Sequence, residues 1–137
     1  AMNVLSLLES DFIELCHAIA DGTLGSVEVQ FKNKATVCKY AVPEGYPDKP
    51  VKGEPIEISR IENPDNLFFA AVESSNGQLV ESGSRTIAVV GIADSISEAE
   101  KIAEKEVSLI VGPLFHRTDI GTDAVIQKRI EHMNSFR

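Results

Sequence analysis

The chain has 137 residues, with thirteen lysines and arginines against twenty-one aspartates and glutamates, and a formal net charge of −8. This excess of negative charge opposes general attraction to nucleic acid or to an anionic membrane surface, so we expect neither as a partner. The apolar runs are far shorter than the roughly 18 residues that span a bilayer, and the composition is typical of one soluble globular domain.

The two cysteines, Cys16 and Cys38, are too few for a disulfide framework and predict reduced thiols in a cytoplasmic protein. The N-terminal residues lack the basic and apolar regions of a secretory signal. The cysteines and histidines do not have the spacing of zinc ligands, so we predict no metal site and assign no function to His17.

The first segment with regularly spaced apolar residues is predicted to be a helix. Between Ser10 and Asp21, apolar residues recur three and four positions apart. Ser10 or Ser6 is the candidate N-cap, and Gly22 is placed to end the helix. The predicted apolar stripe consists of Phe12, Leu15, Cys16 and Ile19.

Alternating apolar and polar residues then predict strands. One run covers residues 27–31 and another covers 38–42, so we predict two paired strands joined by a turn at Asn33-Lys34. A stiff loop follows, because residues 43–50 contain three prolines.

The middle of the chain predicts further short strands. One includes Ile56 and Ile58, and a mostly buried strand covers Leu67 to Val72. Asn76-Gly77 is typical of a hairpin turn into Leu79-Val80. The apolar run from Thr86 to Ile92 predicts a strand that is covered on both faces.

Two helices are predicted in the last third of the chain. Ser95 and Ser97 are each followed three residues later by a glutamate, as in a capping box, and the helix is expected to end near Gly112-Pro113. Thr122 is the candidate cap of a last helix. The order of helix, antiparallel strands and further helices predicts an α+β fold. The apolar face of that last helix consists of Ile126, Ile130 and Met133.

Three short groups of residues are candidates for binding a ligand or substrate. Residues 44–47 form either a loop that presents an aromatic ring to a ligand or a rigid turn. Arg85 could hold a phosphate or carboxylate, or it could pair with a neighbouring acid. Arg117 and Asp119 point to one face if the segment 115–121 is extended, and they could orient a substrate or lock a turn before the last helix. No phosphate-binding glycine loop or nucleophile motif occurs, so these residues alone do not indicate an enzyme.

In this order, the segments resemble the C-terminal portion of the glycinamide ribonucleotide synthetase (phosphoribosylamine–glycine ligase) family. The resemblance covers essentially the whole chain and departs from the family at Ser84, where a second glycine commonly precedes the arginine. The matching segments are Gly45-Tyr46-Pro47 with Gly53, Ala70-Ala71-Val72, residues 82–89, Glu98-Ala99 and residues 115–121.

The resemblance implies an enzyme of purine biosynthesis that uses ATP and Mg²⁺ to join glycine to 5-phosphoribosylamine through a glycyl phosphate intermediate. The family's nucleotide loop and magnesium-binding residues belong upstream. We therefore expect this chain alone to be inactive, with no catalytic residue, cofactor or metal of its own. We expect Arg85, Arg117 and Asp119 to face the cleft that this domain would share with the ATP-grasp domain, where they would bind substrate phosphate or fix the interdomain geometry.

The resemblance also implies a division of the chain. Residues 1–25 would end the ATP-grasp domain, and residues 26–137 would form the C-terminal domain, a small barrel-like antiparallel sheet with flanking helices of the rudimentary hybrid-motif type. The expected partners are the upstream ATP-grasp domain of the same polypeptide and the two small substrates. An apolar patch on the first helix, exposed in this chain, could favour self-association. The alternative is a free-standing, non-enzymatic binding or scaffold module that shares the fold.

Overall fold

The strands form two small antiparallel sheets flanked by helices, which confirms the predicted α+β fold. A computed structural model describes residues 1–136. No helix in this range is long and apolar enough to cross a membrane. In chain order the elements are α1 (Met2–Leu5), α2 (Phe12–Ala20), β1 (Ala35–Pro43), β2 (Pro55–Ile56), β3 (Leu67–Phe69), β4 (Val72–Ser75), β5 (Gln78–Glu81), β6 (Ile87–Ala93), α3 (Ile96–Val107), β7 (Leu114–Phe115) and α4 (Asp123–Asn134).

The larger sheet has the strand order β3-β6-β1-β7, and the smaller one has the order β2-β5-β4. Strands β1 and β6 form the centre of the larger sheet and pair from Ala35 opposite Ala93 to Ala41 opposite Ile87. The chain passes from one sheet to the other after Phe69, where two residues separate β3 from β4. The predicted hairpin is confirmed, because Asn76 and Gly77 both have positive φ and connect β4 to β5.

Helix α3 packs on β1 and β6 and forms the core with them. A Cβ atom built on Gly91 of β6 would lie 1.9 Å from the carbonyl oxygen of Ala99 and 2.8 Å from the nitrogen of Ala103. The absence of a side chain at this position therefore lets the helix backbone approach the strand directly. The residues buried at this interface form two clusters, one of Val37, Ala99 and Ala103 and one of Ala41, Val89 and Val107.

The N-cap predicted at Ser95 for α3 is confirmed, but the Glu98 carboxylate bonds to the Ser95 hydroxyl and not to the Ser95 amide that a full capping box uses. The Ser95 hydroxyl accepts a hydrogen bond from the Glu98 amide and donates one to the Glu98 carboxylate. The prediction that this helix ends near Gly112 is wrong, because it ends at Val107. Val111 instead exchanges two backbone hydrogen bonds with Glu57, at 2.8 and 2.9 Å, which takes the chain away from the helix axis.

The strand predicted over residues 27–31 is absent, and β1 pairs with β6 and β7 instead. Residues 28–32 run beside residues 7–10: the Glu9 amide donates to the Gln30 carbonyl, and the Ser10 hydroxyl accepts from the Gln30 amide. Ser10 is consequently not the N-cap of α2, and neither is Ser6. Asp11 takes that role, because its carboxylate accepts from two amides of the first helical turn.

Three predictions of burial or capping are also corrected. The segment 67–72 is not mostly buried, because β3 is an edge strand and Phe69 is 53% exposed. Thr122 lies at the N-cap position of α4, but its hydroxyl donates to the Asp119 carbonyl and does not cap the helix. The stripe of α2 is divided, since Leu15 is buried while Phe12, Cys16 and Ile19 are exposed.

We expect Gly91→Ala to lower the free energy of unfolding by about 3 kcal/mol, because the added methyl group forces α3 away from the sheet. Gly25→Ala is the matched control, since a Cβ there has no atom within 4 Å. Urea unfolding of both variants measures the difference. Equal stability of the two variants would contradict the close packing of α3 on β6.

Candidate functional site

An apolar cleft of about 390 Å³ lies on the face of β1 that is turned away from α3. We call it the Tyr40 cleft. One wall comes from β1, a second from the proline-rich loop and a third from β7 and the segment after it. Its lining residues are Cys38, Tyr40, Val42, Tyr46, Pro47, Phe115, Arg117 and Ile120.

The alternation of β1 produces this arrangement. Val37, Lys39 and Ala41 are buried on the side of α3, and the intervening residues Cys38 and Tyr40 are only partly covered. Successive side chains of a strand point to opposite faces of the sheet. The strand therefore contributes to the core with one face and to the cleft with the other.

The loop after β1 is a closed turn, as the rigid-turn interpretation of residues 44–47 expects, and it also forms a wall of the cleft. The Lys49 amide donates to the Gly45 carbonyl at 2.8 Å, and the Glu44 amide donates to the Pro113 carbonyl at 2.9 Å. Gly45 has a φ of +79°, and a Cβ there would lie 2.1 Å from the Lys49 carbonyl oxygen. The closed turn holds Tyr46 at the cleft.

Arg85 lies over the ring of Tyr40, with its guanidinium carbon 5.3 Å from the ring centroid. This is a cation–π contact, and the ion pair considered for Arg85 is not found among residues 1–136. The buried carboxylate of Glu81 accepts a hydrogen bond from the Gly83 amide at 3.0 Å and fixes the turn that precedes Arg85.

Arg117 and Asp119 form a two-pronged ion pair. The Nε of Arg117 donates to Oδ1 of Asp119 at 2.9 Å, and its Nη2 donates to Oδ2 at 2.6 Å. The hydrogen bond from Arg117 lowers the pKa of Asp119 below its ordinary value. The pair uses two of the five guanidinium N–H groups, so the side chain that lines the cleft retains donors for an oxyanion.

The segment with Arg117 is attached to the core by a buried lysine that the sequence analysis did not single out. Lys39 is 1% exposed, and its ammonium group donates to Glu100 at 2.7 Å, to Glu104, and to the carbonyl oxygen of Thr118 at 2.9 Å. His116 contacts the other oxygen of Glu104 at 3.0 Å. One cluster, which we call the Lys39 cluster, thereby links β1, α3 and the segment 116–118.

Hydrogen bonding outweighs burial in setting the charges of this cluster. Burial alone would lower the pKa of Lys39, but its bonds with Glu100 and Glu104 raise it above the ordinary value. Burial alone would raise the pKa of Glu104, but the hydrogen bonds with His116 and Lys39 lower it. The lysine and this glutamate are therefore both held in their charged forms.

The sequence contains a weak signal for the cluster. Lys39 interrupts the apolar, inward-facing positions of β1, and Glu100 and Glu104 lie one helical turn apart on α3. In the part of the chain that the structure describes, no group of three histidine, cysteine, aspartate or glutamate side chains could hold a metal ion.

The segments that converge at this site are those of a known family. The family described as "Phosphoribosylglycinamide synthetase, C domain" matches residues 36–123. Over all of its length, the chain is 51% identical to phosphoribosylamine–glycine ligase of Methanocaldococcus jannaschii and covers 32% of that protein. It is 49% identical over all of its length to the protein of that name from Methanosarcina barkeri and covers 31% of it.

A solved structure agrees with this relationship. The crystal structure of phosphoribosylamine–glycine ligase from Thermotoga maritima matches 77% of this chain and 27% of that chain, with a TM-score of 0.61 and 26% identity. The chain belongs to the phosphoribosylamine–glycine ligase family and corresponds to a C-terminal portion of its members. It spans about a third of the length of the relatives from Methanocaldococcus and Methanosarcina.

We expect Lys39→Met to lower the free energy of unfolding at pH 7 by about 3 kcal/mol, because it leaves two carboxylates without their buried cation. Lys34→Met is the matched control, since Lys34 pairs with Asp94 at the surface and its loss should cost about 1 kcal/mol or less. Chemical unfolding of both variants tests this, and equal losses would contradict the structural importance of the cluster.

The same cluster predicts the effect of acid. Since the pKa of Glu104 is lowered from its ordinary 4.5, its contribution to stability is present above that pH and is lost as the pH falls below it. Lys39→Met removes one cause of the lowered pKa, so the variant should lose less stability between pH 7 and pH 3 than the unaltered chain. Unfolding curves across this range measure the difference.

Proposed function

We propose that the chain is the C-terminal domain, with a short preceding segment, of an enzyme that joins glycine to 5-phosphoribosylamine in purine biosynthesis. The observation that carries the proposal is the meeting of three family segments, 45–47, 85 and 115–121, around Tyr40. The reaction is the one named for the phosphoribosylamine–glycine ligases of Methanocaldococcus jannaschii and Methanosarcina barkeri, which are about 50% identical to the whole chain.

In the proposed reaction, ATP phosphorylates the glycine carboxylate, and the amine of phosphoribosylamine attacks the resulting glycyl phosphate. Phosphorylation converts a poor leaving oxygen into a good one, and cationic groups stabilise the charge that moves. ATP and Mg²⁺ would be held by an ATP-grasp domain in the rest of the polypeptide, and this chain alone would be inactive.

We assign this chain a role in binding substrate and closing the cleft. The guanidinium group of Arg117 would hold the phosphate of phosphoribosylamine at the mouth of the Tyr40 cleft, and Asp119 would orient that group. Arg85, stacked on Tyr40, would face the same cleft. The planar array of donors on arginine suits a phosphate, and the exposure of Arg117 leaves it accessible.

We also propose that residues 1–25 belong to the end of the ATP-grasp domain and that residues 26–137 are the C-terminal domain. Supporting this division, the family match begins at residue 36, and α2 leaves large apolar side chains exposed. These would pack against the ATP-grasp domain, or against a second copy when that domain is missing. Both thiols are free, in keeping with a cytoplasmic location. The exposed side chains on α2 are Phe12, Ile13 and Ile19.

In the full-length enzyme, we expect Arg117→Ala to raise the KM for phosphoribosylamine by about ten- to a hundredfold, with little change in the KM for ATP. The reason is the loss of charge-assisted hydrogen bonds worth roughly 1.5 to 3 kcal/mol. Steady-state kinetics with each substrate varied in turn measures the effect.

Asp119→Asn is the companion variant, because it breaks the ion pair and keeps the arginine. If Arg117 only locks the turn before α4, both variants should lower Tm equally and leave the kinetic constants unchanged. That outcome would refute the substrate role. A KM effect that is larger for Arg117→Ala than for Asp119→Asn supports it.

For the proposed interface, we expect the double variant Ile13→Glu, Ile19→Glu to destabilise the full-length protein by about 2 kcal/mol or more, because the two side chains would be buried there. In the 137-residue chain, the same variant should leave Tm unchanged and reduce self-association. Met133→Glu on α4, also exposed, is the control. Thermal unfolding and light scattering provide the measurements, and an unchanged full-length protein would contradict the interface.

A further inference from the structure

A second cleft, of about 380 Å³, lies between α4 and the segment that precedes it, and its lining carries more charged side chains than that of the Tyr40 cleft. We call it the basic cleft. Lys128 and Arg129 supply permanent positive charges and His132 supplies a ring donor, in a chain with a net charge of −8. The lining residues are Asp119, Val125, Lys128, Arg129 and His132.

The helical period places these side chains together. Positions 128 and 129 lie three and four residues after 125 and four and three residues before 132, so the four positions share one face of α4. No residue of this helix is buried, and the basic face does not contribute to the core of the domain.

No ion pair engages either permanent cation in the described part of the chain. Among residues 1–136, neither Lys128 nor Arg129 has a carboxylate oxygen within 4 Å. Glu131, the nearest acid that follows on the helix, accepts from Gln127 instead. Asp119 is the one acid of the lining, and its two oxygens are engaged by Arg117 at 2.9 and 2.6 Å.

We propose that the basic cleft binds the phosphate group of a small molecule. Two adjacent permanent cations match the double charge of phosphate, and the fork of Arg129 and the ammonium group of Lys128 supply donors to its tetrahedral oxygens. The volume falls in the range of small-molecule sites, and Val125 offers an apolar wall to the organic part of a phosphate ester. This site is distinct from the Tyr40 cleft and does not depend on the proposed ligase reaction.

The test is a titration of the ¹⁵N-labelled 137-residue chain with phenyl phosphate, followed by amide chemical shifts at constant ionic strength. We expect saturable shifts confined to residues 119 and 125–132. Arg129→Gln should weaken binding at least tenfold, while Lys101→Gln on the exposed face of α3 should leave it unchanged. The dispersion of each spectrum reports whether the variant is folded, and Lys128→Gln provides a second variant of the cleft.

The outcomes separate the possible sources of the phosphate. Binding of phenyl phosphate that is at least tenfold tighter than binding of inorganic phosphate supports a phosphate ester as the ligand, and equal binding supports free phosphate. Chemical-shift changes that do not saturate, or that are concentrated at Arg117 and Tyr40, would overturn the proposal. Equal weakening of binding by Lys101→Gln and Arg129→Gln would also overturn it.

Discussion

The domain depends on a buried ammonium group. Lys39 has no contact with solvent through its side chain, and a charge in that position is tolerated only when it is paired and hydrogen-bonded. Its partners come from α3 and from the segment before α4, so neutralising one charge also fixes the relative positions of three parts of the chain. The Tyr40 cleft, on the opposite face of the same strand, is assembled on that framework.

The two faces of β1 have different contacts, and this difference explains how separate segments come together at one cleft. One face of the strand packs on α3, and the other presents Tyr40 between the proline-rich loop, Arg85 and Arg117. Each of these is held by a local constraint: a closed turn at Gly45, the Glu81 carboxylate beside Gly83, and the Lys39 cluster next to Arg117. These constraints hold the lining of the Tyr40 cleft in one arrangement, and such preorganisation would reduce the entropic cost of binding the proposed substrate.

Within the α+β fold that the sequence also predicted, the structural details that it predicted correctly are local ones. The N-cap at Ser95 and the hairpin at Asn76-Gly77 involve residues within a few positions of each other, and their chemistry is nearly independent of the rest of the fold. The strand at 27–31 was wrong because residues 7–10 compete for its backbone groups, a contact across about twenty positions that periodicity does not reveal. The Lys39 cluster was missed for the same reason, since Lys39 and its glutamates are more than sixty residues apart.

The sparse packing of α4 has a thermodynamic consequence. A helix of twelve residues is marginal in water when it buries little apolar surface, so its helical state competes with frayed conformations. A molecule that contacts two side chains on one of its faces binds the helical state more tightly than the frayed one. By linkage, occupancy of the proposed phosphate site and helix content would rise together and saturate together, so the proposed ligand would order α4 as it binds.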